Sequence, residues 1–200
     1  ELFSPSSLEL LSLGVHKKQH LESMKERSDF TELAPHLFLM GQYVKKSEVE
    51  VNGGNFTFLK SAYHQRDQKN HDLILSELEP LLKTGFSSFF VPHLEDPFHW
   101  GYPTPKIHGD TLSPFSILSE LYHLFRSFFI HSENKVLYIL PHLPPMFHCG
   151  RLIHLQQEGL HLDIEWSKKS IKKVVIKCNE EDTLKLHFQN PIEQCRIQGE

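Results

Sequence analysis

Two hundred residues, 39 % of them hydrophobic, suffice for one large domain or two small ones around a real core, which excludes a disordered chain. A formal net charge of -4 from 21 basic and 25 acidic residues, spread without long blocks, leaves no electrostatic footprint for nucleic acid or an anionic membrane. Three cysteines, Cys149, Cys178 and Cys195, are too sparse and odd in number for a disulfide framework, and no stretch reaches the roughly 20 apolar residues of a membrane span.

Residues 1–15 lack the charged start of a signal peptide, and a chain beginning with Glu1 is expected to have been cut from a longer one. Compartment therefore stays open. Ser6 or Ser7 can cap a first helix from about Leu8 to Arg27, with Leu8, Leu11 and Val15 on one stripe. A second helical segment is expected from Thr31 to about Val44, interrupted near Pro35. Within 48–59, Val49 and Val51 precede Asn52-Gly53-Gly54-Asn55, and Phe56 and Phe58 follow, which predicts a β-hairpin. Leu73, Leu75, Leu78, Leu81 and Leu82 make the apolar face of a helix that starts at Asn70 or Asp72 and stops at Gly85. The clearest helix runs from Ser113, a capping residue followed by Pro114, to about Ile130. Its Phe115, Leu118, Leu121, Tyr122, Phe125, Phe128 and Phe129 recur at three and four.

After Lys135 the hydrophobic period changes from helical to β. Short strands are predicted at 136–140, 152–155, 160–166, 173–178 and 184–188, separated by turn-rich pieces such as Asn179-Glu180-Glu181-Asp182. Leu160, Leu162, Ile164 and Trp166 alternate with His161, Asp163 and Glu165. One face of this strand therefore belongs on a core, with Trp166 buried, and Asp163 and Glu165 face solvent or the helical part. Pro141, Pro144 and Pro145 lie just upstream, where an extended joint must replace helix or central strand. The fold class expected is α+β, with a mainly helical part over 1–134 and an antiparallel β domain over 135–200.

Leu140-Pro141, Leu143-Pro144, Phe147, Gly150, Gly159 and Asp163-Ile164-Glu165-Trp166 also carry a resemblance. They are similar to the junction between the helical barrel and the C-terminal β domain of (α/α)6 glycoside hydrolases, most closely the inverting α-L-fucosidase family. Phe147 stands where that family usually has Trp, and one glycine is missing before the strand. The resemblance implies a partial (α/α) barrel followed by a small β-sandwich-like domain, together the C-terminal portion of such an enzyme. It implies fold better than activity, because these residues are architectural.

Between the two best helices lies 86–110, where Pro92, Pro97, Pro103 and Pro105 forbid regular structure and Glu95, Asp96, His99, Trp100, Tyr102, His108 and Asp110 concentrate. Aromatic rings can cover the apolar face of a pyranose while carboxylates accept its hydroxyls. The same composition fits an ordered connector whose prolines and aromatics pack locally. Glycoside hydrolysis needs two catalytic groups roughly 5–10 Å apart. Glu95 with Asp110 is one candidate pair, with Asp96 as an alternate member, while the adjacent Glu95 and Asp96 would point apart in an extended chain. Solvent-exposed loop carboxylates are the plainer account of all three.

Pro105-Lys106-Ile107-His108-Gly109-Asp110 resembles the fucosidase run Pro-Phe-Gln-Ile-Asp-Gly-Asn, with His108 at the position of the family's catalytic Asp and Asp110 at that of its Asn. The active-site motif is thus degenerate, although a neutral His108 has a pKa suited to a base. No counterpart of the family's general-acid Glu is found in 1–85. The expected site comprises Glu95, His108 and Asp110 as catalytic groups and Asp96, His99, Trp100 and Tyr102 as sugar contacts. Among 15 histidines, His142, His148 and His154 lie near Cys149, but their spacing fits no zinc motif, so neither metal nor other cofactor is expected. The expected partner is a glycan. The alternative is a non-catalytic descendant serving as a glycan-binding or protein-interaction module.

Overall fold

The structure, a computed structural model, describes residues 8–14, 23–24, 27, 29–46, 52–87, 90–99, 101–107, 112–178, 183 and 185–196. Among them are strand β1 (Leu10–Leu13), helices α1 (Phe30–Gly41) and α2 (Phe56–Asp67), a 3-10 turn (His71–Leu73) and helix α3 (Ile74–Thr84). The two-residue strands β2 (Phe86–Ser87) and β3 (Val91–Pro92) follow, then α4 (Ser116–Phe129). Strands β4 (Ile130–Glu133), β5 (Val136–Ile139), β6 (Cys149–Gln157), β7 (Leu160–Ser167), β8 (Ser170–Cys178) and β9 (Lys185–Phe188) complete an α+β fold. No helix among the described residues is long and apolar enough to cross a membrane.

Three N-terminal expectations are corrected. Leu10–Leu13 is a strand instead of the start of a helix, paired antiparallel with Gly150–Ile153 at the edge of the sheet β1-β6-β7-β8. Leu11 and Leu13 are buried while Leu10 and Ser12 are exposed, so pairing on β6 sets a period of two where the leucines alone allowed a helical stripe. Residues 15–22, 25 and 26 of that expected helix lie outside the described residues. The hairpin is corrected at its second strand, because Phe56 and Phe58 open α2; 47–51 lies outside the described residues. Asp29 caps α1 by accepting from the Thr31 amide at 2.9 Å, and the helix runs unbroken through Pro35 instead of being interrupted there, although Pro35 has no N–H to offer the Thr31 carbonyl one turn back.

Five of the six strands described after α4 overlap the predicted ones, β6 extending beyond the expected 152–155, while β4 lies at the end of the part expected to be helical; the turns explain the registers. Asn134-Lys135, Glu158-Gly159 and Lys168-Lys169 all take positive φ, the twist that two-residue hairpins need. One pairing departs from an antiparallel domain: β9 runs parallel to β5 in the sheet β4-β5-β9. At the bulge in β6 the free amide of His154 donates to the Asp163 carboxylate at 2.9 Å, so Asp163 is half-buried and engaged, whereas Glu165 is exposed.

A single apolar core joins the helices to the sheets. Phe30, Phe125, Phe128, Phe129, Phe147 and Trp166 form its aromatic centre, with Phe147 stacked at 5.9 Å on Phe30 and 6.1 Å on Phe129. Gly41 lets α1 press onto α4, since a Cβ there would fall 2.2 Å from the Leu118 carbonyl oxygen. A buried polar clamp ties β1 to this core. Glu9 accepts from Arg126 Nε at 3.0 Å, from the Tyr122 hydroxyl at 3.0 Å and from the Gln156 amide at 3.2 Å. The Gln42 amide side chain bonds both the N–H and the C=O of Glu9. Burial first, and then the Glu9 carboxylate, push the Tyr122 phenol well above its ordinary pKa, so it remains a donor.

Candidate functional site

The candidate site is built on the chain that leaves α3, pairs β2 with β3 and continues without regular structure through the described residues 93–99 and 101–107. Pro92 sits in β3 opposite Phe86, so contrary to expectation it does not forbid regular structure, whereas Pro97, Pro103 and Pro105 lie beyond any ladder and the backbone groups there must find partners elsewhere. They find them at the joint before α2. Gly54 N–H donates to the Pro105 carbonyl at 2.6 Å and Asn55 N–H to the Leu94 carbonyl at 2.8 Å. The fully buried Asn55 side chain donates to the His93 carbonyl at 2.8 Å and to the Thr84 carbonyl at 3.3 Å, while accepting from the Thr84 hydroxyl at 2.6 Å. His93 N–H closes the seat on the Gly85 carbonyl at 2.7 Å.

Gly53 and Gly54 exist for this approach. Both have positive φ, 98° and 48°; a Cβ on Gly53 would meet the Lys106 carbonyl oxygen at 2.7 Å, and one on Gly54 the Leu94 carbonyl oxygen at 2.2 Å. Asn52-Gly53-Gly54-Asn55, read in the sequence as a hairpin turn, is thus the seat on which the loop rests.

On that seat Glu95, Asp96, His99, Gly101, Tyr102, Pro103, Thr104 and Lys106 line an open cleft of about 360 Å³. Asp96 accepts from the Phe98 amide at 2.8 Å, a local turn that aims its carboxylate, and the Ile107 amide approaches Glu95 Oε1 at 3.4 Å across the loop. The chain bends here instead of extending, and the adjacent Glu95 and Asp96 both line the cleft. His99 has φ 55° and Gly101 φ 82°, so the backbone passes through the left-handed region on both sides of position 100. Tyr102 is half-buried, its ring edge-on to Phe58 of α2 at 6.0 Å and 88°, which fixes one ring beside the opening.

No protein-family model, curated protein or solved structure matches the chain. What the cleft can do must be argued from its own groups. It offers two carboxylates as acceptors, an ammonium from Lys106, an imidazole and a phenol, all reachable from solvent. Glu95, Asp96, His99 and Tyr102 of the sequence-predicted set are brought together; Trp100, His108 and Asp110 lie outside the described residues. Sequence reasoning missed Lys106 and Thr104 in the lining and the Asn55–Thr84 seat beneath it. The paired glycines were the visible signal for that seat.

His142, His148, Cys149 and His154 do not converge in the same way. His142 sits in the proline joint, His148 and His154 are exposed, and Cys149 lies against Gly14. Among the described residues no group of three or more His, Cys, Asp or Glu side chains is arranged to hold a metal ion.

Proposed function

We propose that the chain is the C-terminal portion of a glycoside-hydrolase-like protein and contacts glycans through the cleft over 93–107. On this reading α1 to α4 are the late helices of an (α/α) barrel and the strands after Lys135 form the small sandwich-like domain that follows it. The observation that carries the proposal is the convergence of Glu95, Asp96, His99 and Tyr102 on one opening. Carboxylates accept sugar hydroxyls, and a fixed ring beside them offers a face to the C–H surface of a pyranose. The joint supports the same reading, since Phe147 and Trp166, two of the residues that carry the fucosidase resemblance, pack together with the Trp166 indole N–H donating to the Phe147 carbonyl at 2.7 Å.

A glycan array probed with the purified chain tests this, with fucosylated glycans included and Tyr102→Ala as the control. Binding that Tyr102→Ala weakens at least about tenfold, roughly 1.4 kcal/mol, supports the cleft. Binding to no glycan, or binding equal in both proteins, overturns it. Aryl glycosides offered to the same preparation read whether contact extends to hydrolysis. If it does, His108→Ala and Asp110→Asn should each cost at least about a hundredfold in rate.

A further inference from the structure

Two imidazoles meet at the seam between the helical hairpin and the proline joint. His71 comes from the 3-10 turn that links α2 to α3, and His142 from the segment after β5, where its amide donates to the Phe128 carbonyl at 3.3 Å. Their rings pack edge-on, 5.6 Å between centroids at 78°. Nε2 of His71 and Nδ1 of His142 are both shielded from solvent and have no hydrogen-bond partner. A buried polar atom left unpaired is uncommon and costs stability, and each instance asks for a reason.

The charged groups around the pair come from every neighbouring element. Arg66 and Asp67 face it from α2, Lys69 from just before the 3-10 turn, Asp72 from within that turn, His131 from β4 and Lys169 from the β7–β8 turn. Arg66 is bound to Asp67 at 2.6 Å and to the Ser127 hydroxyl at 2.8 Å, and His131 lies 3.7 Å from Glu133; Asp72 favours the charged form of His71 and Asp67 that of His142, but neither hydrogen-bonds the shielded ring nitrogens. A proton on either ring therefore enters a shielded site beside another imidazole and several cations, where burial outweighs the nearby acids.

We propose that the His71–His142 contact is an acid-sensitive latch: with both rings neutral it holds the α2–α3 turn against the Pro141–Pro144 joint, and protonation releases that turn. Burial is the largest cause that lowers both imidazoles, with His142 pushed down to about 4 and His71 below its ordinary value. The sign follows. A group whose folded pKa lies below its unfolded value near 6.5 leaves the fold intact above that value, and the contact weakens as pH falls from about 6.5 toward 4. Release of the turn takes up a proton on each ring, so the loss with pH is steeper than one imidazole would give.

His123 on α4, beside Lys46 and Arg126, is also pushed down to about 4 by burial, so acid unfolding of the whole protein would not isolate the latch. The test is local. Imidazole NMR titration of the full chain should find both rings protonating below 6.5. Amide exchange protection at 70–75 and 140–143 should fall at least about tenfold between pH 7 and 4.5, the change linked to one pKa unit. Protection at 152–164 should hold over the same range. His142→Gln, which cannot charge, should keep the seam protected at pH 4.5. Either ring titrating at or above 6.5, unchanged seam protection in the wild type, or His142→Gln losing protection with acid as the wild type does would overturn the proposal. If His142→Gln does not fold at pH 7, the wild-type titration and exchange decide alone.

Discussion

Replacing Trp166 by alanine should destabilise the protein by about 3–5 kcal/mol, the range for deleting a large buried aromatic. The site places it at the upper end. Trp166 is 1 % exposed, lies 5.2 Å from the Phe129 ring and joins a cluster in which Phe147 stacks on Phe30 and Phe129. Gly150 opposite leaves room for the indole, since a Cβ there would fall 2.5 Å from Trp166 Cζ2. The surrounding rings come from helix α1, helix α4 and the proline joint, so the cavity cannot collapse without moving all three. Trp166→Phe separates the terms: it keeps most apolar area but leaves the Phe147 carbonyl without its 2.7 Å donor, which costs about 1–3 kcal/mol. Urea denaturation followed by circular dichroism, with the dependence on urea unchanged between variants, is the assay. A Trp166→Ala loss below about 1 kcal/mol would refute the view that this ring couples the sheet to the helices.

Glu9→Ala should cost about 3–5 kcal/mol, because it removes the carboxylate paired with the 19 %-exposed Arg126 and leaves the Tyr122 hydroxyl and the Gln156 amide without their acceptor, while Arg126 keeps the Gln157 side chain and the Gln156 carbonyl; the same denaturation assay measures it. Gly54→Ala should cost about 2–4 kcal/mol through the clash with Leu94 and a positive φ of 48°, and it should weaken glycan binding more than Tyr63→Phe, a change remote from the cleft. Thr84→Val should cost about 1–2 kcal/mol by leaving Asn55 Oδ1 short of a donor, and raise amide exchange across 93–107 before other loops.

The sequence carries the β half well because each strand is local: the alternation from Leu160 to Trp166 survives intact in burial, and the two-residue turns announce themselves through Asn134, Gly159 and the lysine pair. Helix α4 was legible through its apolar stripe from Leu118 to Phe129, although it opens at Ser116, three residues after the expected cap Ser113, with Phe115 exposed at the cap position and Ser113 only accepting from the Phe115 amide at 3.3 Å. Leu10–Leu13 was not, since four residues with three leucines satisfy either period and the choice is made by β6, far along the chain. Asn52–Asn55 failed for a related reason. Its glycines do signal positive φ, but the partners that require it, Leu94 and Pro105, are distant in sequence. In the cleft, composition alone singled out Glu95, Asp96, His99 and Tyr102, while Asn55 and Thr84 lie 29 positions apart and carry no motif.

The most direct measurement of the central claim is an amide chemical-shift titration of the labelled chain with the strongest glycan ligand. The account predicts saturable shifts concentrated in 93–107 and at Asn55, absent with Tyr102→Ala. Shifts confined to the β6–β8 sheet, or no saturable shift with any glycan, would contradict it.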